Sequence, residues 1–114
     1  MQSPLTTIDL AHPPMSQPEA EVELARAVAA VRNSSYLRIL KVIHGYGSSG
    51  KGGSTREVVR NWTFRQRRKF RGVIEGEHYS LYDEETRLMF AEVGLTDDPD
   101  LHAPNPGITI LWIR

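Results

Sequence analysis

The chain has 114 residues, of which 39% are hydrophobic and 25% are charged, and its formal net charge is zero. This composition suits one folded domain, and the absence of cysteine excludes disulfides, zinc–thiolate sites and cysteine nucleophiles. No apolar run approaches the roughly 20 residues that span a bilayer, and no signal peptide is evident, so we expect a cytoplasmic protein without a membrane segment.

The first part of the chain predicts a strand, a helix and a second strand. Residues 6–10 (TTIDL) are short and β-branched, as is typical of a strand. Ser16 stands three residues before Glu19, a capping-box spacing that begins a helix, which should end near Asn33. Helical spacing predicts that this helix buries Ala20, Leu24, Val28 and Val31. Residues 37–44 (LRILKVIH) then form the most strongly marked strand.

A second helix is predicted after a glycine-rich loop. Ser54 and Glu57 have capping-box spacing, so the helix should begin there, and Gly72 should end it. The face it buries is predicted to carry Val58, Val59, Trp62 and Gln66.

Three more elements follow the second helix. Residues 72–80 and residues 107–113 (GITILWI) favour strands, and residues 83–92 favour a short acidic helix with Leu88 and Met89 packed inward. The order is therefore β-α-β-α-β-(short α)-β. It predicts an α/β domain in which two main helices pack on an open four-stranded sheet in two layers.

The first β-α-β unit should be parallel and right-handed, which places the ends of its two strands at one edge of the sheet. Asp9 then shares that edge with His44, and ligands of open α/β sheets bind there. His44 and His12 are candidate catalytic acid–base groups, with turn or capping roles as the alternative. Asp9 either orients a histidine or ties down its turn.

The loop at residues 45–53 is predicted to hold an anion such as a phosphate. Five of its nine residues are glycines, so successive N–H groups can converge, and the following helix adds its partial positive charge. It nearly matches a mononucleotide P-loop, but Gly52 stands where a serine or threonine must ligate magnesium. A surface loop without a ligand is the alternative. The candidate phosphate-binding residues are Gly45, Tyr46, Gly47, Ser48, Ser49, Gly50, Lys51, Gly52 and Gly53.

Charge is distributed unevenly over the second half of the chain. Residues 51–71 contain eight basic residues and one acid, whereas residues 75–100 contain nine acids and one base. A local positive field of this kind attracts polyanions. The second helix should carry a stripe of basic residues with one aromatic ring, formed by Arg56, Arg60, Phe64, Arg67 and Arg71.

Such a stripe is typical of a nucleic-acid surface, where charge meets phosphate and a flat ring meets a base. The alternative is a solvated helix face, with Phe64 against a neighbouring element or a dimer partner. Asp97, Asp98 and Asp100 lack EF-hand spacing, so they predict a solvated loop rather than a cation site, and no metal ligands are assigned.

These motifs resemble the Smr (small MutS-related) domain family. Residues 8–10 (IDL) are similar to the family's Leu-Asp-Leu-His motif, residues 44–47 (HGYG) to its His-Gly-x-Gly motif, and residues 107–109 (GIT) to its closing segment. The resemblance covers residues 6–114. It implies a β-α-β-α-β-β sandwich with a mixed sheet, similar to the C-terminal domain of translation initiation factor three.

The resemblance also implies DNA or RNA binding and, as in several members, endonuclease (nicking) activity. Asp9 would match the acidic motif residue, His44 with Gly45 and Gly47 the second motif, and Arg56 a basic position early in the second helix. The family's first-motif histidine falls on Ala11 here, with His12 one residue late, as in a subgroup with a degenerate first motif. This change favours binding over cleavage.

We therefore expect one domain, residues 1–114, with a flexible N-terminus at 1–5 and an acidic insertion at 79–105. Its first candidate function is binding of DNA, RNA or a small phosphate compound. The second is a nuclease in which His44 is the acid or base and Asp9 orients it or a metal such as Mg²⁺. The third is a protein-interaction module, such as a homodimer, that uses Phe64 and the acidic insertion.

Overall fold

The computed structural model describes residues 2–46 and 55–114, and the elements within them follow the predicted order. They are β1 (Leu5–Asp9), α1 (Gln17–Asn33), β2 (Ile39–Ile43), α2 (Thr55–Arg65), β3 (Gly72–Glu75), α3 (Glu84–Val93) and β4 (Ile108–Trp112). Short 3₁₀ turns follow α2 at Arg67–Lys69 and β3 at Gly76–His78. In the part of the chain so described, every helix is too short or too polar to cross a membrane.

The four strands form one mixed sheet in the order β1-β2-β4-β3, which confirms the predicted fold class. β1 and β2 are parallel, with Asp9 opposite Ile43. β4 runs antiparallel to both of its neighbours, β2 and β3. In this order β3 is a lateral strand with one neighbour. Because β1 and β2 are parallel, their carboxyl ends lie side by side at the same end of the sheet, as predicted.

Helix α1 begins at the predicted capping box. The Ser16 hydroxyl accepts a hydrogen bond from the Glu19 N–H, and the Glu19 carboxylate accepts one from the Ser16 N–H. Its four predicted inward residues, Ala20, Leu24, Val28 and Val31, are all buried. With α2 they cover one face of the sheet, where the core includes Leu40, Val42, Leu111 and Ile113. Burial of each large apolar side chain contributes roughly 1.5–3 kcal/mol.

The sheet and the two main helices form the two expected layers, and α3 adds cover on the opposite face. Met89 and Phe90 of α3 pack there with Tyr79 against alternate residues of the strands, such as Ile39 and Ile110. The prediction for Leu88 is wrong, since it is 56% exposed. Helical geometry turns it away from the face shared by Thr86, Met89 and Phe90.

The predicted end of α2 at Gly72 is also wrong. The helix ends at Arg65, and the chain turns so that the ring of Phe70 packs 6.3 Å from that of Trp62. Gly72 instead begins β3. Of the predicted inward residues of α2, Val59 and Trp62 are buried and Val58 and Gln66 are half-buried.

The third strand is shorter than the predicted range 72–80 because Gly76 ends it. A Cβ atom at Gly76 would collide with the carbonyl oxygen of Asn105. The end of the insertion therefore packs against the backbone of residue 76 so closely that only glycine fits there. The Gly76 carbonyl accepts a hydrogen bond from the Asn105 N–H at this crossing. The chain therefore leaves the sheet here and begins the insertion.

Candidate functional site

The two motif segments at the sheet edge lie side by side. The Leu10 N–H donates to the Ile43 carbonyl, which carries the β1–β2 pairing one residue past β1. Gly45 has φ +79°, a conformation that favours glycine, and a Cβ atom there would lie 3.7 Å from that of Ala11. The positions that resemble the two Smr motifs are therefore neighbours in space.

Asp9 orients His12 and also ties down its own turn. Its Oδ1 accepts hydrogen bonds from the N–H groups of Ala11 and His12, and its Oδ2 lies 2.9 Å from Nδ1 of His12. Slight burial raises the pKa of Asp9, but the Ala11 N–H and the His12 ring outweigh it and hold that pKa below its usual value. The His12 side chain is 76% exposed. Both roles considered for Asp9 are present, and the histidine concerned is His12.

His44 has a different environment, because it is only 3% exposed. Its Nδ1–H donates to the Gly45 carbonyl at 2.8 Å, and its Nε2 accepts from the Thr109 hydroxyl at 2.8 Å. Burial lowers the pKa of His44 to about 4, and the nearby Arg60 and Arg56 also lower it. Asp9 is not among its partners in the described ranges, so the predicted Asp9–His44 pair does not form. His44 is instead a neutral side chain that ties the end of β2 to β4.

Most of the glycine-rich loop lies outside the described residues. Of the candidate phosphate-binding residues, the structure describes Gly45 and an exposed Tyr46. Gly47, Ser48, Ser49, Gly50, Lys51, Gly52 and Gly53 fall outside, as does the capping residue Ser54. The loop joins the end of β2 to the start of α2, as predicted, and its anion site stays a prediction.

The first two arginines of the predicted stripe are neutralised by the acidic segment, residues 75–100, which begins with the last residue of β3. Nη2 of Arg56 lies 3.0 Å from the Glu77 carboxylate, and Nη2 of Arg60 lies 2.8 Å from it. Arg60 also lies 3.4 Å from Glu75. The hydrogen bond from Arg60 lowers the pKa of Glu77 to about 2. We call these residues, Arg56, Arg60, Glu75 and Glu77, the closed basic end.

The stripe does not continue along one helix as predicted, because α2 ends at Arg65. Arg67 lies in the 3₁₀ turn, and Arg71 precedes β3. The Arg71 guanidinium lies over the ring of Trp112 at 4.5 Å and pairs with Glu92. Arg71 therefore lies on the face of the sheet that α3 covers, and it is not part of the stripe on α2.

Among the other described residues of segment 51–71, Arg65 pairs with Glu21 of α1, whereas Phe64 and three successive cations are exposed. Phe64 is 63% exposed, and the Arg67 guanidinium lies over its ring at 4.1 Å while donating to its carbonyl. Within residues 2–46 and 55–114, no carboxylate pairs with Arg67, Arg68 or Lys69. We call Phe64, Arg67, Arg68 and Lys69 the open basic end.

Lys41 is a charged residue that sequence reasoning missed. It lies in the middle of β2 and is 5% exposed, and its Nζ lies 2.7 Å from Asp98 and 2.6 Å from Asp100. The prediction of a solvated loop is wrong for Asp98, whose side chain is buried against this ammonium. A lysine inside an apolar strand was the available signal, since a buried charge requires a partner. Among the residues that the structure describes, no group of three or more histidine and acidic side chains is placed to hold a metal ion.

Comparison with protein-family models, with curated proteins and with solved structures gave no match for this chain. The resemblance to Smr domains and to the initiation-factor fold therefore rests on the motif residues and the element order.

Proposed function

We propose that this protein is an Smr-like module that binds nucleic acid through the open basic end and the glycine-rich loop. The observation that carries the proposal is the open basic end. It combines three exposed cations with an exposed aromatic ring, and none of the cations has a carboxylate partner among the described residues.

The chemistry of this cluster suits a polyanion that carries flat rings. Lysine and arginine release counterions when they meet phosphates, which drives binding without sequence preference. An exposed ring adds about 1–3 kcal/mol when a base stacks on it. Arg67 supports the ring of Phe64 from one side, so both groups are already oriented before a ligand arrives.

The glycine-rich loop supports the same proposal from the sequence. Its predicted anion site, with Lys51, follows β2 at the edge where the resemblance also places the second motif. Arg56, the basic position implied by the resemblance, lies at the closed basic end and is paired with Glu77. We therefore assign less of the binding to Arg56 than to Arg67 and Arg68.

A titration of labelled short RNA and DNA strands by fluorescence anisotropy, at two salt concentrations, tests the proposal. We expect the logarithm of the association constant to fall linearly with the logarithm of the salt concentration. For single strands, each phosphate contact contributes about 0.7 to the slope. Arg67→Glu with Arg68→Glu should weaken binding, whereas Arg26→Glu on the exposed face of α1 should not. Lys51→Ala tests the loop separately. Binding that is absent, or that ignores both salt and the Arg67 and Arg68 changes, would exclude the proposal.

A second candidate is a nuclease that uses His12, and it is favoured by the contact between His12 and Asp9. A carboxylate that fixes one ring nitrogen of an exposed histidine leaves the other nitrogen to exchange a proton with a substrate. His44 is less suited to this role, because both of its ring nitrogens are occupied.

A cleavage assay on single-stranded and duplex RNA and DNA, with and without Mg²⁺, tests the nuclease candidate. If it is right, His12→Ala abolishes cleavage and His44→Gln retains it in the folded fraction. If the His12→Ala variant still cleaves, His12 is not the catalytic residue. If the native protein does not cleave any substrate, the nuclease candidate is rejected and only the binding proposal stands.

A further inference from the structure

A small groove lies beside the open basic end, between α2 and the edge strand β3. Its volume is about 210 Å³. Arg60, Thr63 and Phe64 of α2 line one side together with Arg67 of the following turn. Val73 and Glu75 of β3 line the other side, and Thr109 of β4 also contributes. The volume is below the range of about 300–1,000 Å³ that is usual for drug-sized ligands, so it suits a single ring system.

The groove contains a polar group that lacks a partner. The Thr63 hydroxyl is buried and accepts or donates no hydrogen bond within the described part of the chain. Buried polar groups in folded proteins are nearly always hydrogen-bonded, so this hydroxyl indicates a missing partner. Thr109 is oriented by His44, to which its hydroxyl donates, and its oxygen can still accept another hydrogen bond.

The charges around the groove restrict what can enter it. The Glu75 carboxylate lines it and is paired there with Arg60, 3.4 Å away, so the two charges offset each other, and the carboxylate can still accept hydrogen bonds from N–H donors. Arg67 lies at the same groove without a carboxylate partner among residues 2–46 and 55–114. A neutral, flat group with N–H donors therefore fits inside, while an attached phosphate fits beside Arg67.

We propose that the groove takes one unpaired nucleobase, so that the protein binds single-stranded nucleic acid in preference to duplex. The face of the base stacks on Phe64, and its edge reaches Glu75 and the Thr63 hydroxyl. A paired base cannot enter, because its face is stacked and its edge is already hydrogen-bonded. This inference rests on the proposed function and adds its substrate class.

The test compares three probes of equal length with the full chain: a single strand, the corresponding duplex, and a strand in which abasic sugars replace the bases. We expect the single strand to bind roughly tenfold more tightly than the abasic strand, as base stacking on an aromatic ring predicts. Phe64→Ala should remove most of that difference and weaken duplex binding much less than single-strand binding. Tyr82→Ala is the matched control, because Tyr82 is also an exposed ring but lies beside His102 and does not line the groove.

Thr63→Val is a second variant, in case loss of the Phe64 ring disturbs α2. It keeps the shape of the side chain and removes only the unpartnered hydroxyl, so the fold should be retained, as circular dichroism will show. We expect single-strand affinity to fall about fivefold, with duplex affinity unchanged.

The outcomes distinguish failure of the groove as a base site from failure of nucleic-acid binding as a whole. Salt-dependent binding that is equally strong for all three probes would reject the groove as a base site but keep the protein as a nucleic-acid binder. A Phe64→Ala variant that weakens single strand and duplex equally would also reject it. If no probe binds, the proposed function itself fails.

Discussion

The closed and open basic ends lie on one stretch of chain, but their cations meet different surroundings. At the closed end, Arg56 and Arg60 are half-buried and share the Glu77 carboxylate. At the open end, Arg67 stacks on Phe64 and meets no carboxylate in the described ranges. A run of basic residues therefore does not by itself define a positive surface, since the local field depends on which charges the fold neutralises.

The difference comes from the acidic segment, and the ion pairs of Lys41 are among the contacts that anchor that segment to the sheet. Asp98 and Asp100 reach the buried ammonium of Lys41, while Glu77 at the start of the same segment reaches the two arginines. The acidic segment thus neutralises Arg56 and Arg60 through Glu77 and Arg71 through Glu92, and it leaves the open basic end exposed.

Lys41→Met removes these ion pairs. We expect the free energy of unfolding to fall by about 3–5 kcal/mol, because Asp98 is left buried without its partner. Urea denaturation followed by circular dichroism measures this change. Lys69→Met is the matched control at the open basic end, where loss of an exposed charge should change stability by less than about 0.5 kcal/mol. Equal effects of the two changes would refute the anchoring role.

His44, which lies near the two arginines of the closed basic end, makes the stability of the protein depend on pH. Its folded pKa of about 4 lies below the ordinary 6.5, so between these values the unfolded chain binds a proton that the folded chain does not. The free energy of unfolding should therefore fall as the pH falls through this window, by about 3 kcal/mol in total. Stability measured against pH should show a flatter profile in His44→Gln.

Acidic groups also titrate in part of this range, so the informative quantity is the difference between the native and variant profiles. His12→Gln is the control, because this exposed histidine makes its contact with Asp9 at the surface. A His44→Gln profile parallel to that of the native protein would show that His44 is not the group responsible.

Matched neutralisations compare the two basic ends directly. Arg68→Gln should lower the affinity for single-stranded RNA about fivefold at low salt, because an unpaired cation is free to meet a phosphate. Arg56→Gln should lower it less than about twofold, since Glu77 already neutralises Arg56. Anisotropy titrations of both variants measure this. If Arg56→Gln weakens binding more than Arg68→Gln, Arg56 is a main binding residue, as the Smr resemblance implies, and its pairing with Glu77 does not reduce its role.

Local signals in the sequence are sufficient to predict much of the fold. The capping box at Ser16 and Glu19 fixed the start of α1, and parallel pairing of β1 and β2 followed from the first β-α-β unit. The meeting of the two motif segments at one edge of the sheet follows from the same pairing. These features depend on residues close in sequence or on a general rule of chain handedness.

The features that sequence missed depend on long-range contacts. Lys41 and Asp98 are 57 residues apart, and His44 and Thr109 are 65 apart. No local pattern pairs such residues, so the neutral state of His44 and the burial of Asp98 were not predictable. Similarly, α2 ends where Phe70 must return to Trp62, a tertiary contact without a glycine or proline to mark it.

Glu77→Gln gives the smallest expected effect and partly opens the closed basic end. The change removes the charge that Arg56 and Arg60 share, so the Arg56 guanidinium becomes available to phosphates, while Arg60 keeps its contact with Glu75. We expect affinity for single-stranded RNA to rise about two- to threefold and its salt dependence to become steeper. Stability should fall by no more than about 1 kcal/mol, because the pair is partly exposed.

Glu23→Gln is the matched control for this prediction, since it removes a carboxylate from an exposed arginine pair on α1, away from the basic segment. Both variants raise the net charge by one, so a general effect of charge would increase affinity equally in the two. A larger increase in Glu77→Gln would locate the effect at the closed basic end. An equal increase would mean that Glu77 does not determine which end of the segment binds.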